Sequence, residues 1–167
     1  MNITNRDRNL MKTVQGKITE YLYALKDHDL NPDHRIGGYL TIFKGEGSNP
    51  ILSVFLGEED DENRISLTRE LSMEKCLRLM KNPQHSTSHE SRDEKKNQYG
   101  GGVRFDFPTL EEERLVKYYI GFSGCPELQD EAMVLAGYYR FSNDSRSLSI
   151  PGKRINPLVG TLVNRYG

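Results

Sequence analysis

The chain has no tryptophan and only two cysteines among its 167 residues. Two thiols, Cys76 and Cys125, cannot make a disulfide framework, and they point to a reducing, cytoplasmic setting. No run of about 18 apolar residues occurs, so the sequence offers no membrane-spanning helix and no membrane partner is expected. The first residues, Met1-Asn2-Ile3-Thr4-Asn5-Arg6, lack the apolar stretch of a secretory signal. Neither charge is in excess: 23 basic residues stand against 24 acidic ones. The basic residues are dispersed rather than striped, which argues against a nucleic-acid partner. No internal repeat is present. With 35% hydrophobic and 28% charged residues, the composition is polar and predicts long exposed segments. The length fits one domain with a short appendage, large enough to bury a sizeable core.

Hydrophobic spacing gives the order of elements. Leu10, Val14, Ile18, Tyr21, Leu22 and Leu25 form one apolar stripe and predict a helix over 5–27. Thr4 with Asp7 is a loose capping-box pattern at its start, and His28-Asp29-Leu30-Asn31-Pro32 ends it, since the residue before proline avoids the α region. Residues 36–44 and 51–57 read as strands joined by the turn Gly45-Glu46-Gly47-Ser48-Asn49-Pro50, a natural antiparallel hairpin. The run 58–63 reads as a charged loop, and 65–81 as a helix with Leu67, Leu71, Cys76, Leu79 and Met80 on its buried face. From 84 to 98 no large apolar residue occurs, which predicts a mobile or disordered loop. Two further strands are expected over 103–107 and 115–122, with an acidic turn at Glu111-Glu112-Glu113 between them. A last helix follows to about Arg140. The tail carries Ile150, Pro151, Ile155, Leu158, Val159, Leu162 and Val163 and is too apolar for a plain linker. The order α, β, β, α, loop, β, β, α implies an α+β fold, an antiparallel sheet covered by helices. The expected organisation is a domain over 1–140 and a C-terminal extension over 141–167.

Three groups of residues could carry chemistry. Gly100-Gly101-Gly102 precedes a strand; it is either a hinge closing the polar loop or a backbone that lines a ligand. Ser123-Gly124-Cys125 ends the most apolar strand just before a helix that Pro126 is expected to open. Glu127, Asp130 and Glu131 suit the positive end of that helix dipole. There, Ser123 or Cys125 caps the helix, or backbone amides hold a small carboxylate, or the dipole lowers the Cys125 pKa and makes a thiolate nucleophile. His85 and His89 are spaced i, i+4, which on a helix can bind a metal and also admits axial ligation of a haem iron; a solvated loop supplies the same pair by chance. Cys76, among apolar helix positions, reads as core.

The strand-to-helix motif Gly121-Phe122-Ser123-Gly124, with Pro126-Glu127 and then Asp130-Glu131-Ala132, resembles the signature of the GlcG/HbpS-like haem-binding (haem-degrading-domain-like) family. Glu74-Lys75-Cys76 is similar to its middle-helix motif, with Cys in place of Ala. Gly101-Gly102 is similar to its Gly-Gly loop, although Arg104 stands where the family has Pro. The resemblance covers residues 10–139. It implies a profilin-like sandwich with a sheet of about five strands flanked by helices, the fifth strand lying near Tyr99 or Leu110. It also implies a homo-oligomer, haem as a cofactor in some members, and a ligand crevice at Gly101, Gly102, Ser123 and Gly124. The function expected from all this is non-catalytic binding of haem or a small carboxylate. Two alternatives stand beside it: an oligomeric interaction or structural module, and a thiol-dependent enzyme using Cys125 with His85 or His89 brought in by the loop.

Overall fold

Helix α1 (Asn5–Ala24) begins with the reciprocal cap that its sequence suggests. The Asp7 amide donates to Thr4 Oγ1 at 3.1 Å, and the Thr4 amide donates to Asp7 Oδ2 at 2.9 Å. The computed structural model describes residues 2–109, 115–148 and 156–166. In it, β1 (Ile36–Lys44) and β2 (Leu52–Glu58) form a hairpin. Helix α2 (Glu62–Lys81) follows, then β3 (Gly102–Pro108) and β4 (Leu115–Ser123) form a second antiparallel pair. Helices α3 (Glu127–Ser142) and α4 (Pro157–Tyr166) complete the chain. The strand order is β2-β1-β4-β3, so the two hairpins meet at an antiparallel β1–β4 seam. The α+β class holds, with an antiparallel sheet flanked by helices.

Alternation along the strands gives the two faces different chemistry. Leu40 and Ile42 of β1 and Val116, Tyr118, Ile120 and Phe122 of β4 join the main core with α1, α3 and α4. Phe43 and Tyr119 point the other way and pack with Cys76 and Leu79 of α2. The α2 side is small and polar by comparison: Thr41 Oγ1 and Ser72 Oγ share a buried hydrogen bond of 2.7 Å. The buried Asp7 carboxylate ties the α1 cap to the sheet, accepting from Lys44 Nζ at 2.8 Å and from the Tyr118 hydroxyl at 2.5 Å.

Several expectations change. About five strands are implied by the resemblance, whereas the sheet has four among the described residues. Tyr99 lies in the connection before β3. Leu110, the Glu111-Glu112-Glu113 run and the tail residues Ile150, Pro151 and Ile155 fall outside the described residues. Helix α2 starts three residues before Ile65, because Asp61 caps it by accepting from the Asn63 amide at 2.9 Å. Helix α1 ends before Asp27; the Asn31 side chain reaches back to the Leu25 carbonyl at 3.1 Å and fixes the turn. The segment 84–98 is built into the fold, with 3₁₀ turns at Ser88–Ser91 and Glu94–Lys96. Hydrogen bonds, not apolar burial, hold it. The buried Arg78 guanidinium donates to the Ser88 carbonyl at 2.9 Å and to the Tyr99 carbonyl. The Gly102 amide donates to Ser88 Oγ at 2.9 Å, and the Glu90 carboxylate accepts from the Ser86 amide at 2.9 Å. The tail forms α4, whose Leu158, Val159 and Leu162 belong to the main core. Asn156 fastens it, donating to the Leu128 carbonyl at 2.8 Å and to Glu131 Oε1 at 3.2 Å.

Candidate functional site

Helix α2 lies close on the sheet because β4 has Gly121 beneath it. A Cβ there would stand 2.5 Å from the Ser72 carbonyl oxygen. This close approach carries Lys75 down to the end of β4. Its side chain is only 2% exposed; Nζ donates to the Phe122 carbonyl at 2.7 Å and to Asp130 Oδ2 at 3.3 Å. Asp130, also 2% exposed, completes a buried ion pair joining α2 to α3. Gly101 passes over this pair with φ of 110°, and a Cβ there would meet Lys75 Nζ, Asp130 Cβ and the Phe122 carbonyl oxygen, each at 2.8 Å. Burial pushes the Asp130 carboxyl up from 3.8 to about 7, although Lys75 and the amides of Cys125 and Gly124 pull it back.

The start of α3 differs from its expected form. Pro126 occupies the cap position and Glu127 opens the helix, with no side-chain cap from Ser123 or Cys125. Asp130 does the capping from inside the first turn, its Oδ1 accepting from the Cys125 amide at 3.0 Å. The amides of Gly124 and Cys125 therefore face the chain's own carboxylate.

Above the pair lies a crevice of about 420 Å³. Ser123, Gly124, Cys125 and Pro126 form one side, Leu67, Thr68 and Leu71 of α2 another, and Tyr99 contributes an aromatic wall. Three arginines from distant parts of the chain reach it: Arg35 just before β1, Arg64 in the first turn of α2, and Arg92 after the first 3₁₀ turn. Arg64 Nη2 donates to the Gly124 carbonyl at 2.9 Å, and its Nε pairs with Glu59 at 3.2 Å. Arg35 pairs with Asp33 at 3.2 Å. Arg92 Nε pairs with Glu127 at 2.9 Å, and Glu127 Oε1 also accepts from the Gly100 amide at 2.7 Å.

The residues singled out in the sequence divide into three groups. Ser123 and Gly124 line the crevice. Gly101 and Gly102 are buried one layer below, against Lys75, where they make room for that side chain. Cys125 lines the crevice but is only 7% exposed, and burial pushes its thiol up rather than down. Desolvation and the Asp130 charge outweigh the cations nearby and work against an activated thiolate there. Cys76 is fully buried, as its helix position implies. His85 and His89 lie in the 84–98 connection outside the crevice lining, and their i, i+4 spacing spans a turn and part of a 3₁₀ helix, not an α-helix. Among the described residues no group of three or more His, Cys, Asp or Glu could hold a metal ion.

Lys75 and Asp130 appear in the sequence within short motifs, and only the fold shows that they pair. Arg35, Arg64 and Arg92 carry no local signal, being three of the dispersed basic residues. Asp130 had a local clue: an acidic residue in the first helical turn, after a proline that lacks its own amide, is placed to serve the preceding amides. No helix among the described residues is long and apolar enough to cross a membrane. Family models, curated proteins and solved structures give no match to the chain.

Proposed function

We propose that this chain is a profilin-like, GlcG/HbpS-like binding protein that holds a small carboxylate in the crevice beside Ser123 and Gly124, without catalysing a reaction. One observation carries the reading: three arginines separated in sequence meet at one crevice with an apolar and aromatic wall. Guanidinium groups are fitted to bind carboxylates through paired N–H donors. The arginines take the part that the backbone amides were expected to play, because Asp130 occupies the amides.

Haem suits this lining poorly. Arginine and glutamate side chains border the crevice where a porphyrin needs a wide apolar slot, and His85 and His89 stand outside it. Titration calorimetry with 4-methylpentanoate tests the carboxylate reading. Saturable binding that Arg64→Gln weakens at least tenfold is the expected result, and no binding to the wild-type chain refutes it. A haemin titration followed at the Soret band, with His85→Ala, His89→Ala and Ser123→Ala alongside, should give a non-saturating response.

The interaction-module reading has one observation in its favour. On the side of α2 outside the crevice lining, Leu77 is 38% exposed. If that face joins copies of the chain into a homo-oligomer, sedimentation will give a mass above 19.2 kDa that Leu77→Glu lowers.

A further inference from the structure

The crevice is charged unevenly, and the unevenness specifies its ligand more narrowly than "a carboxylate". At the Cys125 end stand Arg35 and Arg64. Both act on the Cys125 thiol, Arg64 also donates to the Gly124 carbonyl, and the Cys125 thiol donates to the Arg35 carbonyl at 3.7 Å. Their own partners, Asp33 and Glu59, are not part of the crevice lining. A guanidinium offers five N–H donors, and Arg64 spends only Nε and Nη2 within the described residues. Asp33 and Glu59 offset the charge of these arginines, so this end offers guanidinium N–H donors rather than a net positive charge.

At the Glu127 end stand Arg92, Glu94 and Glu127, all in the lining. Two carboxylates share one guanidinium there, since Arg92 pairs with both. One positive and two negative charges leave a net charge of −1. Beneath both ends, Lys75 and Asp130 neutralise each other. Guanidinium donors and surplus carboxylates in one crevice, with Leu67, Leu71 and Tyr99 alongside, match a molecule that carries both a carboxylate and an ammonium and whose side chain is apolar.

We infer that the crevice binds a small zwitterion of the α-amino acid class, its carboxylate toward Arg35 and Arg64, its ammonium toward Glu94 and Glu127, and its side chain against the apolar wall. The inference rests on the carboxylate-binding reading above and narrows it. It follows from electrostatic complementarity: an ammonium placed at the acidic end gains an attraction that a simple acid lacks, and a simple amine loses the arginines.

The test compares L-leucine, 4-methylpentanoate, which lacks the ammonium, and 3-methylbutylamine, which lacks the carboxylate. Calorimetry on the full chain should show leucine binding at least tenfold more tightly than either half-molecule. Glu94→Gln should weaken leucine several-fold and leave 4-methylpentanoate unchanged; Arg64→Gln should weaken both. Thermal unfolding of each variant confirms that it is folded. Equal affinity for leucine and 4-methylpentanoate overturns the zwitterion and leaves the carboxylate reading standing. No binding of any of the three, or an amine that binds more tightly than the acid, overturns both.

Discussion

Replacing Lys75 with methionine keeps the length of the side chain and removes the ammonium from a site where both members of the ion pair are 2% exposed. Asp130 would then keep the amides of Gly124 and Cys125 but lose the buried cation it pairs with. Breaking a buried pair by removing one partner costs about 3–5 kcal/mol. For a domain of this size that corresponds to a fall in Tm of roughly 6–20 °C. Asp130→Asn removes the charge and keeps an acceptor for the Cys125 amide. Lys75→Met with Asp130→Asn strands no carboxylate, so the double variant should lose less than the sum of the two singles. Urea unfolding of all four proteins at pH 8 gives the coupling. The pH dependence adds an independent check. Asp130 has its folded pKa raised to about 7 from 3.8, so the native state holds a proton that the unfolded chain releases in that window. Its contribution is therefore full at low pH, falls as pH rises from about 4 to 7, and is constant above. Asp130→Asn should flatten that part of the stability profile. If Lys75→Met costs under about 1 kcal/mol at pH 8 and the double variant is the plain sum, the buried pair does not hold α2 to α3 and the reasoning fails.

Gly101→Ala places a Cβ at a φ of 110° and 2.8 Å from Lys75 Nζ, so it should lower Tm by more than 5 °C or prevent folding; a wild-type Tm would refute the packing described around the pair. Arg78→Met withdraws the donors that hold the Ser88 and Tyr99 carbonyls, so hydrogen exchange should rise across 84–101 well before α1 or β4 opens; uniform protection would show that another contact orders the segment. Burial holds the folded-state carboxyl of Asp7 up, but Lys44, Thr4 and Tyr118 outweigh it and depress the pKa, so its stabilisation is present above the unfolded pKa and lost as pH falls through the folded one. Asp7→Asn should accordingly cost most at neutral pH and progressively less as the pH falls below 3.8, measured by urea unfolding. Both thiols should react with a disulfide reagent only after denaturant is added, since Cys76 and Cys125 are buried; fast labelling of Cys125 in the native protein would reopen the thiol chemistry.

Local pattern determined much of this protein. The α1 stripe from Leu10 to Leu25, the Thr4–Asp7 box, the two hairpins and the strand-to-helix passage from β4 into α3 all follow from periodicity and turn chemistry within about 20 residues. The α+β class came with them; a crevice beside Ser123 and Gly124 was implied by the family resemblance. What the sequence left open depends on contacts between distant residues. The segment 84–98 looked unstructured because its composition offers nothing to bury; it is ordered by polar bonds to Arg78 and Gly102, which composition does not register. Cys125 sits where a helix dipole should activate it, yet the depth of its burial and the charge of Asp130, both properties of the assembled fold, drive its pKa the other way. Arg35, Arg64 and Arg92 are up to 57 residues apart, and only the β1–β4 seam and the packing of α2 bring them to one opening. Hydrophobic periodicity encodes which face of an element is buried, because burial repeats with the element's own geometry; a binding site has no period, so its residues become a group only when the chain closes on itself.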